Sequence, residues 1–249
     1  MPYDLIKLAE TTEKIVVKDN LRKYYRFRPG RWYGGIASSD CVGCNLRCVF
    51  CWGWKVRDNP ENAGKFYSAE QVFDSMDTFA KRFGYSQLRV SGNEPTIGKN
   101  HLFELLGLID QTNYRFILET NGTLINEDFA KKLSEFKCLH VRVSLKGTNE
   151  EEFAMLTGAK PEGFGLQLKA LKNLFDAGVK CHPAVMLSFS PKENFNKLID
   201  RLREIDKRLA EEVEEEYVFL YPSVTKRLQR ANLKPFLAYE PNKIPRKFI

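Results

Sequence analysis

Cys41-Val42-Gly43-Cys44-Asn45-Leu46-Arg47-Cys48-Val49-Phe50-Cys51-Trp52 gathers four of the chain's six cysteines on one loop. The loop follows Ile36–Asp40, which reads as a weak first strand. Beyond it, short β-branched runs alternate with longer amphipathic ones, the pattern of βα units on a parallel sheet. Gln87–Ser91, Arg115–Thr120, Leu139–Leu145, Val179–Leu187 and Val218–Tyr221 read as strands two to six. Between them, Ser68 with Gln71 forms a capping box ahead of a helix to about Phe83, and a second helix is expected from about Asn100 to Gln111. Asn126 with Glu127 and Asp128 opens another helix, and Gly178 stops a fourth in the C′ position. Ser190, Pro191 and Glu193 open a long one, with Pro191 expected at N1. Six units over roughly 190 residues fall short of the about 250 that a closed eight-unit barrel takes. The expected fold is therefore α/β, a partial (βα)6 barrel with an open rim and the cysteine loop after its first strand.

In such folds chemistry gathers at the carboxyl ends of the strands. The odd segments of this sequence fall there: the cysteine loop, Gly92-Asn93-Glu94-Pro95, Glu119-Thr120-Asn121-Gly122, Ser144 with Lys146, and Met186 to Ser190. Each alone is good turn chemistry. Their common rim is what marks an active site.

The 249 residues are 43% hydrophobic, which excludes a mainly disordered chain. The net charge of +7 is uneven. Residues 1–33 hold eight Lys/Arg against four Asp/Glu, and residues 223–249 hold seven against one, so the intervening body is mildly acidic. These bounds divide the chain into a basic lead-in (1–33), the partial barrel (34–222) and a basic extension (223–249). Solvated tails are the bland reading of the two ends; a polyanionic partner is the sharper one. The first thirty residues lack an apolar signal core and no run approaches the roughly 18 apolar residues of a membrane span. A cytoplasmic location with no membrane partner is expected.

In a reducing compartment four thiols on one loop mean metal or redox chemistry, not disulfides. Cys44, Cys48 and Cys51 form CxxxCxxC, three thiolates that can hold three irons of a [4Fe–4S] cube and leave the fourth open. With Cys41 the run becomes CxxCxxxCxxC. Structural zinc usually separates its cysteine pairs by about 12–20 residues, and the bacterial ferredoxin run has another order and a closing proline. Cys41 is accordingly expected to be a buried bystander.

This loop, with Phe50 before its last cysteine, resembles that of the radical S-adenosylmethionine (radical SAM) family, and the likeness covers about residues 34–222. The resemblance implies that S-adenosyl-L-methionine chelates the open iron through its amino and carboxylate groups. It implies further that an electron from the cluster cleaves it to a 5′-deoxyadenosyl radical, which removes hydrogen from a substrate. Ser91-Gly92-Asn93-Glu94-Pro95 stands in place of the family's Gly-Gly-Glu-Pro segment, so Gly92, Asn93 and Glu94 are expected around the methionine amino group. Asn93 replaces a glycine, a mild change because Asn tolerates positive φ. Phe50 and Trp52 are expected to flank the adenine, Thr120 and Asn121 to touch the cofactor at the rim, and Met186 to join them.

Ser144-Leu145-Lys146, with Leu156-Thr157-Gly158, resembles the Asp-Leu-Lys and Leu-Thr-Gly pattern of glycyl-radical-enzyme activases. It implies a ribose contact for Ser144, in place of an acid, and a carboxylate contact for Lys146. It also implies a partner protein whose glycine is the substrate, with a flavodoxin- or ferredoxin-like electron donor. No second cysteine cluster is present, and only 223–249 follow the sixth strand, which suits a large substrate docking on an open rim. The alternative is a radical SAM enzyme acting on RNA or a small metabolite, since Cys48-Val49-Phe50-Cys51-Trp52 also resembles wyosine-type tRNA-modifying enzymes. Those carry extra amino-terminal cysteines that residues 1–40 lack. A non-enzymatic electron carrier or zinc module is a third reading.

Overall fold

The protein is described by a computed structural model covering residues 1–245. Its centre is a run of six parallel strands: β1 (Ile36–Cys41), β2 (Gln87–Ser91), β3 (Arg115–Thr120), β4 (Leu139–Leu145), β5 (Cys181–Met186) and β6 (Glu214–Glu216). Three of these match the sequence reading residue for residue. The sixth does not. Val218–Phe219, expected as the sixth barrel strand, pairs with Ala238–Tyr239 in a separate two-stranded sheet. Glu214–Glu216, an acidic run just before it, takes the place beside β5. Arg142 of β4 explains how: its guanidinium pairs with Glu214 at 2.7 Å and Glu216 at 3.0 Å, so the repulsion that opposes strand formation is partly offset within the sheet.

Residues 1–33 build part of the same sheet. Asp4 caps the helix Leu5–Val16, and Leu21–Gly30 then pairs antiparallel with β1. Lys65–Tyr67 extends this edge on the far side of Leu21–Gly30.

The capping box at Ser68 and Gln71 forms and starts the helix Ala69–Phe83. Asn126 caps Glu127–Leu133, and Gly178 takes φ +74° after Gly163–Asp176. Pro191 sits one position earlier than expected, at the N-cap of Lys192–Ile205 with ψ 151°. Here the missing N–H costs nothing either.

Because side chains alternate across a strand, each strand has a helix-facing and an inner side. Leu88, Val90, Phe116, Leu118, Val141, Val143 and Val185 pack against Val72, Met76, Leu105, Ile109, Leu171 and Leu198 of the helices, all of them buried. Fully burying one such side chain contributes about 1.5–3 kcal/mol, so this layer carries most of the fold. The inner side is polar. Register places Ser38 beside Arg89, Asp40 beside Ser91, Glu119 beside Arg142, and Arg142 beside His182.

Candidate active site

The cysteine loop begins where β1 ends, and the neighbouring strand ends hold it by hydrogen bonds. Gly43 donates to Asn93 Oδ1 at 3.0 Å and accepts from the Glu94 backbone N–H at 3.0 Å. The Glu94 carboxylate is almost fully buried. Its Oε1 accepts from the hydroxyls of Thr96 and Thr120, both at 2.6 Å, and its Oε2 accepts from the Asn121 backbone at 2.8 Å. Glu94 thus joins the ends of β2 and β3, and Oε2 keeps one lone-pair direction for a further donor. Asn121 donates to Asn45 Oδ1 at 2.8 Å and lies 4.0 Å from Cys44 Sγ.

Gln167, which sequence reading missed, continues the tie. It is fully buried, donates to the carbonyls of Asn121 and Ser144 at 2.6 and 2.9 Å, and accepts from the Lys146 N–H. Its signal was a polar residue between Leu166 and Leu168 in an otherwise apolar helix face. Lys146 Nζ donates to Ser144 Oγ, which donates in turn to Glu216 Oε2. At the acid-to-serine position of strand four a carboxylate is therefore present after all, delivered by β6.

Position 92 needs glycine: φ is +97°, and a Cβ there would lie 3.0 Å from Asp40 Cβ. Asn93 shows no positive φ, so the tolerance expected of it is not used. Its Oδ1 is what the loop uses, while its buried Nδ2 has no partner among the described residues and lies beside Gly53.

Cys41 is fully buried in β1, and burial pushes its thiol up to about 11. Burial also raises the thiols of Cys44 and Cys48. For Cys44 the nearby charges of Glu94, Cys48 and Cys51 add to the rise, which places the three thiols within reach of one another's fields. Among the described residues no three Cys, His, Asp or Glu side chains converge on a single-ion point. A cube instead spreads three thiolates over three corners. The donor set fits it: burial and the neighbouring charges disfavour free thiolates at Cys44 and Cys48, and bonding to a cationic cluster would offset that cost.

Phe50 and Met186 join an apolar patch with Leu156, Phe189, Val218, Val224 and Leu228; the Phe50 and Phe189 rings lie 6.2 Å apart. Trp52 is instead exposed, with Arg26 over its ring at 5.3 Å. The extension after 222 reads in sequence as a basic tail, yet Pro222–Arg230 is a helix that buries Val224 and Leu228. Its Arg227 donates to the carbonyls of Val49 and Cys48. Arg57 donates to the Cys48 carbonyl as well, at 2.9 Å. Among the described residues no helix is long and apolar enough to cross a membrane.

The inner face was the main omission of sequence reading. Burial alone would raise the Glu119 carboxyl, but Arg89 and Arg142, with the hydroxyls of Ser91 and Tyr33, outweigh it and hold it at about 2. Arg89 between Leu88 and Val90, and Arg142 between Val141 and Val143, were the signals: a charge in a row of polar residues at every second position of otherwise apolar strands.

Several known proteins are similar to this chain in sequence or in fold. The Fe-coproporphyrin III synthase of Methanosarcina barkeri is 34% identical over 139 residues, 55% of this chain and 33% of that one. A cysteine-type anaerobic sulfatase-maturating enzyme of Clostridium perfringens is 35% identical over 116 residues, 43% of this chain and 31% of the other. The chain thus spans about a third of the length of these curated relatives. The solved structure of anSMEcpe with bound AdoMet superposes with a TM-score of 0.55 at 25% identity, over 72% of this chain and 50% of that one. Streptococcus suis SuiB bound to precursor peptide SuiA shares the fold, with a TM-score of 0.56 at 18% identity over 80% and 46%. A family model described as the Radical SAM superfamily, whose members use a [4Fe–4S] cluster and S-adenosylmethionine, matches residues 39–203. With its three-cysteine loop at the end of the first strand of a partial barrel, this chain belongs to the radical SAM superfamily.

Proposed function

We propose that this chain cleaves S-adenosylmethionine at a cluster held by Cys44, Cys48 and Cys51, and takes a hydrogen atom from a polar substrate lying against the inner face of the barrel. The observation that carries the reading is the tied rim, in which Gly43, Asn93, Glu94, Thr120 and Asn121 fix the cysteine loop to the ends of β2 and β3. When bound, the cluster and cofactor supply one-electron cleavage and hydrogen abstraction. The protein supplies position. Glu94 Oε2, with a lone pair to spare, receives the methionine amino group beside Gly92 and Asn93. Lys146 Nζ faces the methionine carboxylate or, with Ser144, the ribose. Phe50 and Met186 give the adenine an apolar wall, with Trp52 at the outer edge and Thr120 and Asn121 behind Glu94.

Two substrate readings follow. In the activase-like one the substrate is a glycine of a partner protein, and the open rim and Lys146 favour it. In the other it is a small polar metabolite, which the charges of the inner face favour. RNA is less well served, because Arg227 of the basic extension is turned inward to the cysteine loop. A flavodoxin- or ferredoxin-like protein is the expected electron donor. The test is anaerobic cluster reconstitution followed by dithionite and S-adenosylmethionine, with 5′-deoxyadenosine measured. Cluster formation without cofactor-dependent product contradicts the proposal.

A further inference from the structure

Two arginines share one carboxylate beside the cysteine loop. Asp40, the residue before Cys41, is fully buried on the inner face. Arg28 grips it with two N–H groups, Nε to Oδ2 at 2.9 Å and Nη2 to Oδ1 at 3.2 Å. Arg26 adds a third bond, Nε to the same Oδ2 at 2.6 Å. Both arginines come from Leu21–Gly30, whose register sets Arg26 opposite Asp40 and Arg28 opposite Ser38.

Arg28 alone would neutralise Asp40, so the second guanidinium leaves a net positive charge. Glu119, another inner carboxylate, is occupied by Arg89 at 2.9 Å. Among the described residues no acceptor meets the Nη groups of Arg26 or Nη1 of Arg28. Arg26 remains 43% exposed and lies over the Trp52 ring. Buried Asp40 pins the near side of each fork and leaves the far sides preorganised, an arrangement suited to an oxyanion.

We propose that Arg26 and Arg28, held by Asp40, form the subsite for an anionic group of the substrate, a carboxylate or a phosphate. The proposal rests on the reading that the inner face takes the substrate. It narrows the metabolite or the protein segment to one carrying such a group close to the cluster.

The test is phenylglyoxal labelling of the reconstituted protein under anaerobic conditions, read by mass spectrometry at Arg26, with succinate or pyrophosphate at matched ionic strength. The expected result is protection of Arg26 at concentrations on the order of 1–10 mM, the range for one weakly held anion. Protection by pyrophosphate alone assigns a phosphate, and by succinate alone a carboxylate; protection by both supports the anionic subsite. Calorimetry of the protecting anion should show about 10-fold or greater weakening in Arg28→Gln and in Arg26→Gln. No protection by either anion in a preparation that still forms 5′-deoxyadenosine overturns the subsite and leaves the enzymatic reading standing. Protection in a preparation that forms none leaves the subsite and overturns the enzymatic reading.

Discussion

Arg227, in the C-terminal helix, donates to the carbonyl oxygen of Val49 at 3.1 Å, 178 residues away in sequence. The same side chain reaches the Cys48 carbonyl at 3.3 Å, where Arg57 also donates. The backbone of the cysteine loop is therefore pinned from outside by a segment beyond the barrel. Hydrogen bonds from a charged donor contribute about 1.5–3 kcal/mol, or about 10- to 100-fold in a local opening equilibrium. Arg227→Gln should lose iron to a chelator faster by a factor in that range while folding normally. An unchanged release rate would show that the contact carries no load.

Glu94 is expected to act before any cofactor binds. Glu94→Gln keeps the shape but replaces an acceptor-only carboxylate that receives two hydroxyls and two backbone N–H groups. Denaturant unfolding of the cluster-free protein should show a loss of about 2–4 kcal/mol. If that protein is as stable as wild type and only cofactor binding weakens, Glu94 serves the ligand alone.

How much of this was readable in the sequence depended on the kind of signal. Strands β2 to β4 were readable because apolar alternation and turn residues bracket them. The cysteine loop was readable because its spacing is local. Glu214–Glu216 was not: a run of glutamates opposes strand formation until Arg142, 72 residues upstream, sits beside it. Gln167 and the inner-face arginines have meaning only once the register is known. The burial of Val224 and Leu228 likewise depends on a surface made by Leu156, Met186 and Phe189 from two other segments.

Gly92→Ala should be costly and Asn93→Gly mild. At φ +97° an alanine meets Asp40 at 3.0 Å, so both backbone strain and a clash oppose it. A loss of more than about 1 kcal/mol is expected. Asn93→Gly removes one acceptor for the Gly43 N–H and no special backbone geometry. Thermal melts of the two variants check the order.

Acid should destabilise the fold through His101. Burial holds its imidazole down to about 4, and its ring donates to Asn20 O while accepting from Tyr24 Oη. The folded value lies below the unfolded 6.5, so the stabilisation is full above pH 6.5 and is lost as pH falls towards 4. Its size is on the order of 3 kcal/mol. The difference in unfolding free energy between wild type and His101→Gln should shrink across that window. A constant difference would show that His101 does not titrate there.

The central claim is that Cys44, Cys48 and Cys51, without Cys41, hold a cluster that cleaves S-adenosylmethionine. The most direct measurement is 5′-deoxyadenosine formed per reconstituted chain, under reductant, in wild type and in the four single Cys→Ala variants. The account predicts product in wild type and in Cys41→Ala, and none, with loss of iron and sulfide, in the other three. Loss of cluster and product in Cys41→Ala as complete as in the others would contradict it.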